Sequence, residues 1–147
     1  MLYRSNNGET WERITILGNE EGTVEATVYD VTISSQNPEH VLAGLGIIRK
    51  STNNGETWTT VYNEAGIYTF TRSAGNPEVV YGSGENANGR LVFVASNDFG
   101  DTWEMVEFEE NVSTGLRVND MVSVLQDGEE VLYFATNKGL YSYRFER

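Results

Sequence analysis

The chain has 147 residues, enough for one domain with a hydrophobic core of its own. Its 22 acidic and 10 basic residues give a net charge of −12, and such a surface repels the phosphates of nucleic acids and anionic lipids. The lack of cysteine excludes disulfides and thiolate-bound metals, the single His40 excludes a multi-histidine metal site, and no apolar run is long enough to span a membrane. We therefore expect no metal, no cofactor, no nucleic-acid partner and no membrane insertion.

Two short phrases alternate along the chain. The first ends in tryptophan and occurs at 5–11, 51–58 and 96–103, with copies about 45 residues apart. The second contains an Asn-Pro or Asp-Gly turn and lies at 36–44, 75–82 and 126–133. Short alternating segments rich in β-branched and aromatic residues separate the phrases, so each period predicts four antiparallel strands.

We label the four strands of one period A to D, from the innermost strand outwards. The predicted strands in chain order are C at 2–5, D at 11–17, A at 25–33, B from 41, C at 46–50, D from 58, A at 67–72, B from 79, C at 90–95, D from 103, A from 118, B at 131–136 and C at 139–144. The chain therefore contains a C-D pair, two complete periods and a final A-B-C group.

The tryptophan phrase resembles the Asp-box, or BNR, repeat, whose pattern is Ser-x-Asp-x-Gly-x-Thr-Trp. Residues 96–103 match every fixed position, and residues 51–58 match except at Asn53. The first copy is one residue short, which aligns Arg4 and Asn6 with the Ser and Asp positions. The repeat occurs in sialidases, sortilin-type receptors, xyloglucanases and photosystem II assembly factors.

The resemblance implies an all-β propeller of four-stranded antiparallel blades, with residues 1–147 forming a partial ring of about three blades. It also implies an extracellular or surface-associated protein, although no signal or transmembrane segment is visible in the sequence. Because the repeat is shared by enzymes and non-enzymes, it predicts the fold and leaves the activity open.

The repeated residues themselves predict stabilised hairpin turns. Glycine supplies a positive φ, the Asp or Asn and the hydroxyls bond to the loop backbone, and tryptophan buries its ring against the next sheet. A calcium loop at Asp98 and Asp101 is an alternative, although two carboxylates fall short of a calcium shell. The predicted structural residues are Asn6, Gly8, Trp11, Ser51, Asn53, Gly55, Trp58, Ser96, Asp98, Gly100 and Trp103.

Length variation between the periods falls in the D–A and B–C loops, which a propeller places on one face. These loops are 18–22, 63–66, 83–89 and 107–115. Variable loops on a fixed scaffold commonly bind ligands, whereas a solvated acidic rim is the simpler interpretation. The face is predicted to be acidic because of Glu20, Glu21, Glu64, Glu85, Glu107, Glu109 and Glu110.

Polar and aromatic residues align near the start of the three predicted A strands. Propellers bind ligands where the innermost strands line the central channel, and tyrosines with carboxylates suit sugar rings. A channel lined by polar residues and filled with water is the alternative. The candidate ligand-binding residues are Tyr29, Asp30, Tyr68, Thr69, Arg72, Arg117, Asn119 and Asp120.

The preferred function is a non-enzymatic binding or assembly module with a carbohydrate or protein ligand. The alternative is a sialidase-like or xyloglucanase-like glycoside hydrolase, either as a fragment or as an oligomer. A hydrolase needs two opposed carboxylates, for which Asp30 and Asp120 are the inner-strand candidates. The Arg-Ile-Pro phrase that opens a sialidase is missing from the sequence, and besides Arg72 and Arg117 no third arginine takes a matching inner-strand position, so no catalytic residue is assigned.

The strand count also predicts a partner. Propellers close with about four to eight blades, so three blades' worth of strands leaves exposed sheet edges. We expect a homo-oligomer, with a dimer favoured, in which a second chain completes a six-bladed ring; missing blades of a longer chain are the alternative.

Overall fold

The computed structural model describes residues 2–16, 26–108 and 115–145, and in these ranges every regular element is a β-strand. The strands are β1 (Leu2–Arg4), β2 (Glu12–Ile14), β3 (Asp30–Ile33), β4 (Val41–Gly44), β5 (Gly46–Ser51), β6 (Thr59–Arg72), β7 (Val80–Glu85), β8 (Leu91–Ser96), β9 (Glu104–Glu107), β10 (Val118–Gln126), β11 (Glu129–Thr136) and β12 (Gly139–Arg144). Within the same ranges no helix could cross a membrane.

The strands form three antiparallel sheets. β1 and β2 make an N-terminal hairpin, β3 to β9 follow one another in a seven-stranded sheet, and β10 to β12 make a terminal sheet. The long strand β6 pairs with β5 through Thr59 to Tyr62 and with β7 through Gly66 to Arg72. The seven-stranded sheet therefore contains two four-stranded units that share β6, which we call the first and second units.

This order confirms the predicted all-β strand sequence of C-D, A-B-C-D, A-B-C-D and A-B-C. The predicted loop at 63–66 was wrong, because these residues belong to β6. The strand continues there because Gly66 pairs with Glu85 of β7 and Ile67 pairs with Gly46 of β5. The pairing of β5 with β6 shifts register between Gly46 and Ile48, and this shift accommodates the extra residues of β6. The predicted loops at 83–89 and 107–115 start too early, because β7 extends to Glu85 and β9 to Glu107.

The hydrophobic core lies between successive sheets. Leu42 of the first unit clusters with Phe70 and Val94 of the second unit. On the other side of the second unit, Phe93 contacts Phe134 of the terminal sheet, with ring centroids 5.8 Å apart. Each such buried side chain stabilises the fold by about 1.5–3 kcal/mol, so face-to-face packing is the main source of stability.

The repeated turns at 51–58 and 96–103 have the same hydrogen bonds. In the latter, Ser96 Oγ accepts from the Gly100 N–H at 2.7 Å and donates to Asp98 Oδ1 at 2.8 Å. Asp98 Oδ1 also accepts from the Thr102 N–H at 2.9 Å. Ser51, Asn53, Gly55 and Thr57 repeat this arrangement with distances of 2.8–2.9 Å.

The first repeated turn differs from its predicted alignment. Asn7, rather than Asn6, accepts the turn hydrogen bonds, from the N–H groups of Glu9 and Thr10 at 2.9 Å. Ser5 Oγ accepts from the Gly8 N–H at 2.7 Å, as Ser96 does from Gly100. The missing residue therefore lies between the Asx position and the glycine, and Ser5 and Asn7 keep the two-residue spacing that their hydrogen bond requires.

The three tryptophans have different environments. Trp103 is half-buried against Tyr62 and Phe70, and Trp58 Nε1 donates to the Gly55 carbonyl at 3.0 Å. Trp11 is 64% exposed, so the expected burial of its ring is wrong for this copy. In the described residues no sheet precedes the N-terminal hairpin, which leaves Trp11 without a surface to pack on.

Polar contacts also join the sheets. Lys50, which is buried, donates to Asp101 Oδ1 of the second unit at 2.7 Å. Glu130 of the terminal sheet accepts from the Tyr81 hydroxyl at 2.9 Å and from the Ala74 N–H at 3.1 Å, both in the second unit. Burying these charged groups is tolerable because each one is paired or hydrogen-bonded across the boundary.

We expect Gly100→Ala to destabilise the protein more than Gly128→Ala. Both glycines have φ above +80°, so both variants carry similar backbone strain of about 1 kcal/mol. A Cβ at position 100 would lie 2.5 Å from Leu42 Cδ2, whereas at position 128 it meets nothing within 4 Å. Chemical denaturation should show an additional loss of about 1–3 kcal/mol for Gly100→Ala; equal losses would contradict the close packing of the first and second units.

We expect Glu130 to make stability depend on acid pH. Burial disfavours its charged form, but hydrogen bonds from Ser123, Ser73, Tyr81 and Ala74 outweigh this and lower the pKa of Glu130. A lowered folded-state pKa gives stability that is complete above the unfolded pKa of about 4.3 and is lost as pH falls through the folded pKa.

Glu130→Gln should therefore cost about 2 kcal/mol at pH 7, and the difference from the unmodified protein should shrink below about pH 4. Glu104→Gln, at an exposed residue of β9, is the control. Urea denaturation across this pH range measures both. A gap between the Glu130→Gln variant and the unmodified protein that stays constant in acid would contradict the assignment.

Candidate functional site

A cleft of about 460 Å³ opens where the inner strands of the two units and the terminal sheet approach one another. Four of its lining residues belong to the predicted ligand-binding set, namely Tyr29, Tyr68, Arg117 and Asn119. Tyr29 directly precedes β3, Tyr68 lies in β6, Arg117 directly precedes β10 and Asn119 lies in β10, so all three inner-strand regions contribute. The volume lies in the range of small-molecule sites.

Tyr29 and Tyr68 form the aromatic part of the cleft. Their ring centroids are 4.9 Å apart, with the planes at 79° in an edge-to-face arrangement. Tyr68 lies over Gly66, where a Cβ would come within 2.7 Å of the Tyr68 hydroxyl oxygen. Glycine at position 66 therefore leaves room for the Tyr68 ring, while Tyr29 is 58% exposed and accessible to a ligand.

Glu85 and Val118 complete the described lining of the cleft. Glu85 was predicted to lie on an acidic loop, and Val118 is not among the predicted ligand-binding residues. Glu85 instead ends β7 and pairs with Gly66, which brings its carboxylate to the same cleft as Tyr68. Gly66 and Gly84 are the sequence feature that could have indicated this pairing of β6 with β7. The two strands lie so close there that a Cβ on Gly84 would overlap the Gly66 carbonyl.

The cleft changes the acidity of Tyr68. Burial raises the pKa of the Tyr68 phenol, and the negative charge of Glu85 and the neighbouring Tyr29 raise it further. Tyr68 therefore stays neutral at physiological pH and keeps a hydroxyl that both donates and accepts hydrogen bonds. Together with a carboxylate, a guanidinium and an amide, it offers both kinds of partner that a polyhydroxylated ligand needs.

Asp30 lies on the same inner strand but serves the structure. Its Oδ1 accepts from the Val31 N–H and its Oδ2 from the Phe70 N–H, both at 2.8 Å. The Thr69 hydroxyl donates to Oδ2 as well, at 3.2 Å. Asp30 thus joins β3 to β6, and both of its oxygens are engaged by backbone groups.

The remaining candidates do not line the cleft. Thr69 is buried beside Asp30, and Arg72 reaches the Ile33 carbonyl at 3.4 Å. Asp120 Oδ1 accepts from the Met121 N–H at 2.8 Å, which repeats the local geometry of Asp30. Of the acidic loop residues, Glu64 is exposed on β6 and Glu107 ends β9; Glu20, Glu21, Glu109 and Glu110 lie outside the described residues.

The calcium alternative finds little support at Asp98. Burial disfavours its charge, but hydrogen bonds from Thr102 and Ser96 outweigh this and lower the pKa of Asp98. Oδ1 binds Ser96 and the Thr102 N–H, and Oδ2 binds the Thr102 hydroxyl at 2.6 Å. Among the described residues no three His, Asp or Glu side chains cluster as metal ligands.

We expect Glu85→Gln to lower the pKa of Tyr68, because it removes a nearby negative charge. The pKa should remain above its ordinary value, because burial of the phenol is unchanged. Site-resolved NMR titration of the tyrosine rings measures this shift. Glu104→Gln, at an exposed residue of β9, is the control and should leave Tyr68 unchanged. An unaltered Tyr68 titration in Glu85→Gln would contradict the cleft geometry.

No protein-family model matches the chain, and a search of curated proteins finds no significant match. Among solved structures, the chain is similar to an ancestral GH74 enzyme, with 22% identity and a TM-score of 0.68 over 95% of this chain and 19% of that one. It is also similar to a variant of the NanB sialidase from Streptococcus pneumoniae, with 17% identity, a TM-score of 0.58 and coverage of 89% and 22%. YCF48 from Cyanidioschyzon merolae matches with 15% identity, a TM-score of 0.58 and coverage of 90% and 42%.

These neighbours are β-propeller proteins, and together with the strand order they confirm the predicted fold of a partial propeller. The two four-stranded units are two of its blades. The chain spans about a fifth of the GH74 enzyme and of the sialidase, and less than half of YCF48. At these identities the similarity concerns the fold alone.

Proposed function

We propose that this protein is a non-enzymatic binding module whose cleft takes a carbohydrate. The observation that carries the proposal is the Tyr29–Tyr68 pair beside Glu85, Arg117 and Asn119 in one cleft. Aromatic rings offer flat apolar surface to the C–H face of a sugar, and the polar groups can donate to and accept from its hydroxyls. A binding site of this kind has to fit the shape and the hydrogen-bonding groups of its ligand, and it requires no reactive side chain.

The carboxylates also favour binding over hydrolysis. Canonical glycoside hydrolysis uses an acid and a second carboxylate on opposite sides of the bond. Asp30 was one candidate for such a pair, but its two oxygens accept backbone hydrogen bonds. Glu85 is the single carboxylate in the described lining of the cleft.

A glycoside hydrolase is the second candidate function. It is favoured by the structural similarity to a GH74 enzyme and to a sialidase, of which this chain covers a small part. On this alternative, the cleft is one portion of a larger site and Asp120 is a catalytic carboxylate. Turnover of fluorogenic glycosides that is abolished by Asp120→Asn would establish the hydrolase and overturn the binding module.

We infer further that the repeated turns at 51–58 and 96–103 are Asp-boxes. Their shared serine, Asx, glycine and threonine hydrogen bonds support this, as does the position of each turn between the C and D strands. Asn7 in the first turn takes the Asx role with a shorter loop. None of the turn residues is part of the described lining of the cleft, which supports a structural role for them.

Binding can be tested on a panel of neutral and acidic oligosaccharides, followed by thermal shift and calorimetry. For a glycan that binds, we expect Tyr29→Ala and Arg117→Ala each to weaken affinity about 10-fold or more, which corresponds to about 1.4 kcal/mol. Both side chains are exposed, so their removal should leave the fold intact.

Arg72→Ala is the matched control, because Arg72 is an exposed arginine on an inner strand but outside the cleft lining. Its affinity should equal that of the unmodified protein. If Arg72→Ala and Arg117→Ala weaken the affinity for a glycan equally, that glycan does not bind in this cleft. If no glycan of the panel binds, a protein ligand becomes the better hypothesis.

A further inference from the structure

The two ends of the described structure expose apolar faces that resemble its interior. At one end, Ile33 of β3 is 49% exposed and Val31 is also exposed, while Asp30 on the opposite side of β3 bonds to the second unit. At the other end, Val122 of β10 is 49% exposed and Leu140 of β12 is 69% exposed. Their neighbour Met121 points the other way, into the core beneath the second unit.

Each of the two ends carries an incomplete set of four strands. The N-terminal hairpin has strands in the C and D positions, and the A and B positions beside it are empty in the described residues. The terminal sheet has strands in the A, B and C positions, and its outer strand β12 pairs with β11 alone in the described structure. Val31 and Ile33 are exposed where the A strand of a preceding blade would cover them.

The internal boundaries show what such faces bind. Ile14 of the hairpin packs against Gly55 of the first unit, as Leu42 of the first unit packs against Gly100 of the second. Arg4 donates to the Asn54 carbonyl across the first boundary, and Lys50 donates to Asp101 across the next. At both boundaries an aliphatic side chain of one sheet packs on a turn glycine of the next, and a basic side chain donates a hydrogen bond across the boundary. The chain therefore contains the two kinds of surface that pack against each other.

We propose that a second copy of this chain docks head-to-tail on these faces. The face of β10 and β12 with Val122 and Leu140 would cover the face of β3 with Val31 and Ile33 of the second copy, and the reverse contact would close the ring. Because β1 and β12 both hold a C position, the shorter β1 would be displaced or added at an edge of the shared blade. Heterologous contacts form closed rings when the rotation closes, and six blades lie within the range that propellers use. The proposal does not depend on a carbohydrate ligand.

Continuity with the internal boundaries favours a second copy over an unrelated strand or a lipid surface. Val31 and Ile33 occupy alternate positions of β3, and Val122 and Leu140 lie on the same face of the terminal sheet, so each end presents apolar side chains on one sheet face, as packing against a second sheet requires. The net charge of −12 on each chain opposes association by long-range repulsion. Dissociation should therefore decrease as ionic strength rises, because salt screens this repulsion.

Light scattering coupled to size exclusion tests the proposal on the full chain. We expect twice the chain mass of 16.4 kDa. Ile33→Glu and Leu140→Glu should each shift the protein to a monomer with an unchanged circular dichroism spectrum, because both side chains are exposed in a single chain. Met105→Glu is the control, since Met105 is an exposed apolar residue on β9, outside both faces, and it should remain dimeric.

Mixing the two variants distinguishes the head-to-tail arrangement from a symmetric one. In a mixture of Ile33→Glu and Leu140→Glu, one contact joins two unmodified faces, so a mixed dimer should form although neither variant dimerises alone. A monomeric unmodified protein at micromolar concentration would overturn the proposal. So would a variant that dimerises alone, because that contact would use only one of the two faces.

Discussion

Packing of one sheet face against the next is the constraint on which this structure depends. Each four-stranded unit is thin and cannot bury its apolar residues alone, so Leu42, Phe93 and Phe134 are buried only because another sheet lies over them. The glycine of a repeated turn permits this approach, since any side chain at Gly100 would collide with Leu42. The repeat thus encodes both the turn and the distance between the sheets.

The acidic composition acquires a structural meaning at the boundaries between sheets. Glu130 accepts from Tyr81, Asp101 pairs with buried Lys50, and Asp30 accepts from two backbone N–H groups. Several carboxylates therefore hold neighbouring strands or sheets together. An abundance of acidic residues on a propeller is for this reason weak evidence for catalysis, and the cleft draws its single described carboxylate from Glu85.

Alignment of the inner strands grouped Tyr29, Tyr68, Arg117 and Asn119 among the candidates, and the structure brings these four together in one cleft. The alignment could not separate these residues from Asp30, Thr69 and Asp120, because the strand register shifts between Ile67 and Thr69 and between Val118 and Asp120, and such irregularities change which side chains share a face. Asp30 accepts from the Phe70 N–H, while Tyr29 beside it meets Tyr68. Glu85 escaped prediction because its place in the cleft depends on the extension of β7 beside β6.

The sequence by itself determined the all-β architecture, the order of the strands and the turn chemistry, because these follow from local spacing and from the glycine and Asx positions. Turn geometry is local, so Ser96, Asp98 and Gly100 need no distant partner to adopt it. Only the tertiary structure decided which carboxylates are engaged by the backbone, that residues 63–66 continue β6, and that Asn7 replaces Asn6 in the first turn. These features depend on contacts between strands and on the register of the chain, which periodicity does not specify.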